Sequence, residues 1–334
     1  MAANPYREIE AGEPGRIGWR VHYYDEVDST QRIAAEFANQ SAAQGTVVIA
    51  ELQNAGRGRM GRQWHSPPRV NLYATIILRP AMPLNEVPRL SLVAGVAAAE
   101  ALETVAPGRV ALKWPNDVWL RTGDINGGAG DATARASGLT AGASDLTPGA
   151  LGKGKGNLPA GASDLTPDLF PKGKGSNDEK IPSGLGSGLV WRKAGGIIAE
   201  AVTDGSQRLQ CVLLGIGLNL NLAREQVPSE LRDKATSVLI ATGRGCDRIA
   251  LAGALFKRLD TRYMETETRG FGVIRPLWEH FSALTGRSVV VVDTGARIAG
   301  VVKGIDADGA LLLETTGRTI RILTGDVSIE GAYD

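Results

Sequence analysis

The sequence predicts an α+β chain, with a mixed β-sheet backed by helices and then a small β-barrel. Three observations carry that expectation. Residues 17–120 alternate strand-like runs with helical patterns. Two long apolar runs follow near 193–202 and 210–220. From Arg287 onward, short alternating strands are separated by glycine-bearing turns.

The elements follow in order. Residues 46–52 and 70–78 are rich in branched side chains and read as strands, and between them lies Asn54-Ala-Gly-Arg-Gly-Arg-Met-Gly-Arg-Gln-Trp64. Residues 89–106 carry apolar positions all round, as a buried helix does. Residues 110–113 and 117–120 read as a strand pair joined at Pro115, which interrupts any helix. The runs 193–202 and 210–220 read as neighbouring central strands. Asp247 caps an amphipathic helix over 247–268, and a second helix runs over 274–284. The turns Asp-Thr-Gly, Asp-Ala-Asp-Gly and Thr-Thr-Gly then punctuate the strands of the small barrel.

One stretch fits none of this. Residues 122–190 are rich in Gly, Ser, Ala and Lys and repeat themselves: AGASDLTP at 141–148 returns at 160–167, and KGKG at 153–156 returns at 172–175. Two polar copies cannot bury a core, and a solenoid needs at least three stacked repeats. The stretch reads as a flexible, duplicated insertion that does not offset its ordering entropy. The expected division is an N-terminal extension 1–20, a catalytic domain 21–284 carrying the insertion, and a C-terminal domain 285–334.

Composition narrows the function. A net charge of +1 excludes a broad field for nucleic acid, so any basic function is local. Cys211 and Cys246 make neither a disulfide framework nor a metal-ligand spacing. The polar start lacks the apolar run of a signal peptide, and no stretch has the length of a membrane span. A soluble, cytoplasmic protein with no membrane or nucleic-acid partner is expected.

The arginine-glycine loop admits three readings. Gly56, Gly58 and Gly61 fit G-x-G-x-x-G, but a dinucleotide fingerprint needs a helix next, and Pro67 and Pro68 stand where it should start. A nucleic-acid groove would use Arg57, Arg59 and Arg62 with Trp64 stacking a base, in a chain otherwise poor in aromatics. The third reading is a mobile loop that wraps a small anion, with glycines for close approach and arginines for phosphate or carboxylate. Three further motifs point the same way. Asp28-Ser-Thr-Gln31 places hydroxyls and an amide ahead of a helix beginning near Arg32, and alone reads as a helix cap. Lys113-Trp-Pro-Asn-Asp117 sets a cation and polar groups at a strand end. Gly215-Ile-Gly-Leu-Asn219 ends an apolar strand in an asparagine that needs a partner if buried.

Together these residues resemble the biotin–protein ligase family, in the short form without an N-terminal DNA-binding domain. The match runs in order through DSTQ at 28–31, the loop at 53–64, KWPND at 113–117, K-x-x-GI at 193–197 and GIGLNLN at 215–221. The resemblance implies a class II synthetase-like catalytic domain and an SH3-like barrel. It also implies ATP-dependent activation of biotin to biotinyl-adenylate with Mg²⁺, then transfer to a lysine of a biotin carboxyl carrier domain. It assigns catalysis to Arg59, Lys193 and Lys113. Biotin falls to Ser29, Thr30, Gln31, Gln53, Gly56, Arg57, Gly58, Arg59, Trp64, Lys193 and Gly196. The nucleotide falls to Arg59, Arg62, Asn116, Asp117 and Asn219, with Asp117 also the metal candidate. Homodimers by sheet-edge pairing occur in the family. The rivals are lipoate–protein ligase, which shares fold and chemistry, and a catalytically idle biotin or adenylate sensor. Two departures stand out: Met60 replaces an arginine that some members carry, and the insertion separates KWPND from Lys193.

Overall fold

In a computed structural model of the chain, residues 4–10, 17–123, 190–293 and 296–329 are described. The expected insertion therefore lies outside the described residues except at its edges. Helix α1 (Arg7–Glu10) precedes β1 (Arg20–Val27), α2 (Thr30–Asn39) and β2 (Thr46–Gln53), a βαβ unit with its two strands parallel. Then come β3 (Leu72–Leu78), α3 (Arg89–Leu102), β4 (Val110–Lys113), β5 (Asp117–Thr122), β6 (Val190–Thr203) and β7 (Leu209–Leu218). These strands form one sheet in the order β1-β2-β3-β7-β6-β5-β4, antiparallel after the first pair. The two apolar runs expected to be neighbours are β6 and β7, paired through the middle of the sheet.

Alternation of side chains explains which parts of the sheet are apolar. On one face, Val47, Ile49, Leu72, Ile76, Leu214 and Ile216 pack in the main core with α3 and α5 (Arg248–Arg269). On the other, Val48, Ile77, Cys211 and Leu213 are covered by Ala34 and Ala38 of α2. Both faces are buried there, so these strands read as continuous hydrophobic runs. Further along that second face, beyond the N-terminus of α2, the positions become Thr75, Tyr73, Gly215 and Gly217. Apolar cover stops there, and the cavity begins.

Every residue of α3 is buried except Arg89 and Glu100. It lies against α5, while its Gly95 faces Leu112 of β4 and Ile197 of β6. Glu100 is matched by Arg262 of α5 at 2.5 Å, and Arg89 by Asp308 at 2.8 Å. Asp247 caps α5 as expected, accepting from the Ile249 and Ala250 amides. Helix α2 begins at Thr30, two residues before the expected start.

After α4 (Val238–Thr242) and α5, helix α6 (Arg275–Phe281) stops three residues short of its expected end. Ser282 is extended there, and the Ala283 amide donates to the Leu112 carbonyl of β4. Strands β8 (Ser288–Asp293), β9 (Ala296–Ile305), β10 (Leu311–Thr315), β11 (Arg318–Ile322) and β12 (Asp326–Ile329) form an antiparallel sheet in the order β11-β10-β9-β8-β12. The expected barrel is not closed, because β12 pairs with β8 and no ladder among the described residues joins it to β11. Its apolar face, with Val289, Val291, Val302, Leu311 and Leu313, joins the same core as α3 and α5.

Candidate functional site

A cavity of about 380 Å³ opens where α2 stops covering the sheet. That is in the range of small-molecule sites. Its inner end is a polar cradle built by the start of α2. Ser29 takes the N-cap position, but its side chain makes no capping bond; its Oγ is buried with no partner among the described residues. The cap is supplied from elsewhere: Gln53 Oε1, at the end of β2, accepts from the Thr30 amide at 2.9 Å and from Thr30 Oγ1 at 3.1 Å. Gln53 Nε2 donates to Ser66 Oγ at 3.0 Å. Gln31 Oε1 accepts from Thr75 Oγ1 at 2.9 Å. The DSTQ motif is thus not a simple helix cap. Among the described residues it leaves the Ser29 hydroxyl unpaired, while Gln53 and Thr75 hold Thr30 and Gln31 and Asp28 pairs with Arg32.

The floor is built from absent side chains. Gly196, Gly217 and Tyr73 lie in register across β6, β7 and β3, and the Trp64 indole rests on the two glycines. A Cβ at Gly217 would come 2.8 Å from Trp64 Nε1, and one at Gly196 would come 3.3 Å from its ring. The room at Gly196 is therefore taken by Trp64 rather than left open. Trp64 Nε1 is itself buried without a partner among the described residues. A buried N–H and a buried O–H left unpaired each cost free energy unless a ligand completes them.

The loop above this floor is a miniature hairpin. The Trp64 amide donates to the Gly56 carbonyl at 2.9 Å, Arg57 pairs with Gln63, and the Gly58 amide donates to the Arg62 carbonyl at 2.6 Å. A 3-10 turn, Arg59–Gly61, forms its tip, with Met60 in the left-handed region at φ 55° and 76% exposed. A Cβ at Gly56 would meet Ser66 Oγ and the Trp64 carbonyl, each at 2.7 Å, so the hairpin closes only with glycine there. No helix follows, which disposes of the dinucleotide reading.

The cations gather opposite the cradle. Lys113 and Asp117 face each other across the β4–β5 turn. Lys193 of β6 reaches the same point: its Nζ donates to Asp117 Oδ1 at 2.6 Å and lies 5.4 Å from the Trp64 ring centroid. Arg59 Nη1 donates to Asn116 Oδ1 at 3.2 Å. Burial lowers the Lys113 pKa below the ordinary lysine value; Asp117 opposes that shift and Lys193 adds to it. Arg62 pairs with Asp326 of β12.

The structure brings all the predicted site residues to this region, though some serve as supports. Asn219 is buried and lines the cavity, yet its amide is engaged: Nδ2 donates to the Thr236 carbonyl at 3.0 Å and Oδ1 accepts from Asn71 at 3.3 Å. Gly56 lies under the hairpin rather than on the main cavity wall and borders a second cavity of about 650 Å³ on the loop's other side. Sequence reasoning missed Thr75, Asp326 and the wall formed by Val227, Pro228, Leu231 and Lys234. An apolar Val-Pro pair in an otherwise polar stretch was the one available signal for that wall. Among the described residues no group of three His, Cys, Asp or Glu side chains stands together, and no helix is long and apolar enough to cross a membrane.

An unsatisfied polar cradle facing a cluster of cations on an α+β sheet defines a site for a small molecule with an anionic end. Residues 23–132 match the model of the Biotin/lipoate A/B protein ligase family. Residues 285–329 match that of the Biotin protein ligase C terminal domain. Over 313 residues (94% of this chain, 75% of the relative) the chain is 29% identical to the bifunctional ligase/repressor BirA of Bacillus subtilis strain 168. Over 316 residues (93% and 89%) it is 26% identical to a Mycobacterium tuberculosis protein named biotin–[acetyl-CoA-carboxylase] ligase. The solved biotin protein ligase from Aquifex aeolicus in complex with biotin and ATP shares the fold, with a TM-score of 0.63 at 23% identity over 93% of this chain and 98% of that one. In both its sheet-bearing region and its C-terminal region the chain is similar to biotin protein ligases.

Proposed function

We propose that this chain is a biotin–[acetyl-CoA-carboxylase] ligase, which activates biotin with ATP and transfers it to a lysine of a biotin carboxyl carrier domain. The observation that carries this reading is the convergence, in one cavity, of the unpaired Ser29 Oγ and Trp64 Nε1 with Arg59 and Lys193. The catalytic domain spans 21–284 and the C-terminal domain 285–334.

In the first step the biotin carboxylate attacks the α-phosphorus of ATP, the bond to the β-phosphate breaks, and pyrophosphate leaves. Two anions must meet, so fixed cations aimed at the forming bond lower the barrier. Arg59 and Lys193 take that role, on carboxylate and α-phosphate. Asn116 orients Arg59, and Asp117 orients Lys193. Lys113 neutralises phosphate charge, and Arg62 and Asn116 serve the nucleotide side, with Asn219 a support held by Thr236 and Asn71. Asp117 is the carboxylate that would hold a Mg²⁺ brought in with ATP, whose charge would offset that of the phosphates.

Ser29, Thr30 and Gln31 pair the ureido group, with Gln53 setting their geometry. Trp64, Arg57 and the Gly58 backbone line the remainder. In the second step the acceptor lysine amine attacks the acyl carbon, the bond to the AMP oxygen breaks, an amide forms, and the amine loses a proton. The apolar wall keeps water from the mixed anhydride in between.

Intact-mass analysis of a carrier domain tests this. Incubated with the enzyme, biotin and MgATP, it should gain one biotinyl group, and a variant with its acceptor lysine changed to arginine should gain none. A carrier domain left unmodified while ATP is present would contradict the reading.

A further inference from the structure

The C-terminal sheet reaches the site at two places. Trp114, inside the KWPND turn and almost fully buried, donates from Nε1 to the Gly309 carbonyl of the β9–β10 turn at 3.0 Å. Gly309 has φ +80°, and a Cβ there would come 2.7 Å from Leu92 of α3, so this approach is tightly set. The second contact is the Arg62–Asp326 ion pair, joining the arginine-glycine hairpin just past its tip to the first residue of β12. Asp326, Val327 and Ser328 also line the main cavity.

The hairpin has few other attachments. Arg57, Gly58, Arg59, Arg62 and Gln63 border both cavities, so the loop is a thin partition with open space on each side. Among the described residues, apart from its internal hydrogen bonds and the seat of Trp64 on Gly196 and Gly217, two side-chain clips hold it: Arg59 to Asn116 and Arg62 to Asp326. With three glycines in six positions, its backbone resists opening weakly. The clip to β12 therefore has leverage over where the loop rests.

We propose that Asp326 is a positioning residue: through Arg62 it holds the ligand loop against the cavity and makes the C-terminal sheet part of the site. The proposal rests on the biotin reading for its ligand, but the loop can be read without one. The Arg62 and Asp326 side chains keep 63% and 40% of their exposure, so the pair is screened by salt and shifts loop opening by roughly two- to fivefold.

The test uses the full chain and Asp326→Asn, which keeps size and removes charge, with Asp326→Glu as the conservative control. Limited trypsin cleavage after Arg57, Arg59 and Arg62 reports the open population when opening is fast relative to cutting. Biotin dissociation reports retention. The D326N variant should be cleaved in the loop and lose biotin about two- to fivefold faster, with an unchanged thermal midpoint, while D326E stays near the parent. High salt should bring the parent to the D326N level and leave D326N unmoved.

Loop cleavage at the parent rate in D326N would overturn the proposal. So would faster cleavage with unaltered biotin retention, or a parallel fall in the thermal midpoint. If the parent bound no biotin, the functional reading would fall, and the cleavage rates would still decide the latch.

Discussion

Lys113 ends β4 with its ammonium 5.1 Å from the Trp119 ring centroid, between Asp117 and Lys193 in the field of Arg62 and Asp326. Burial is the largest influence on it and favours the neutral amine, so its pKa lies below the ordinary lysine value. The sign follows. The positive charge is present below that lowered pKa and is lost as pH rises through it, earlier than for a solvated lysine. If Lys113 neutralises phosphate, kcat/KM for ATP in the adenylation step should fall on the alkaline side below that ordinary value. Kinetics against pH for the parent and Lys113→Arg check this, since arginine stays charged throughout. The K113R profile should lose that limb; an identical limb in both would remove Lys113 from the phosphate role. At this scale the sequence was legible where chemistry is local. DSTQ, KWPND and Lys193 announce donors and cations at strand or helix ends, and all of them meet. The division of labour was not legible, because Gln53 caps a helix 23 residues away in sequence and Asn219 is bound by Asn71 and Thr236.

At the scale of elements, periodicity located the longer strands and helices because each has one or two buried faces, while the short α1 and α4 went unread and boundaries failed where caps come from outside the element. Helix α2 starts early since Gln53 satisfies its first amide, and α6 ends early since the chain turns to bond β4. The β5–β6 hairpin bears on the insertion. These strands stay paired out to Thr122 and Val190, where Thr122 Oγ1 donates to the Val190 carbonyl at 3.1 Å. The ends that a connection must join are therefore already adjacent, and Lys193 is placed by β5 and by the 234–236 segment, whose backbone bonds flank it. Loop-closure entropy varies slowly with length, so replacing residues 123–189 by a short turn should leave adenylation within a few-fold of the parent. Pyrophosphate-exchange rates of the two proteins check this. A folded but inactive deletion would show that the segment takes part in the reaction.

Over the whole molecule, one core runs from the seven-stranded sheet through α3 and α5 into the C-terminal sheet. The sequence pattern divides the chain at about residue 285 because turn-rich short strands begin there. It does not reveal that the second sheet leaves its edges unjoined and sends Trp114 and Arg62 their partners, since those contacts span 195 and 264 residues. Such long-range pairings carry no local signature. Formation of an acyl-adenylate from biotin is the step proposed for this cavity. Exchange of labelled pyrophosphate into ATP with Mg²⁺ isolates that step, with lipoate run in parallel and Arg59→Ala as the site control. Exchange should depend on biotin, fail with lipoate, and fall on the order of a hundredfold or more in R59A. Exchange with lipoate alone, or with neither acid, would contradict the account.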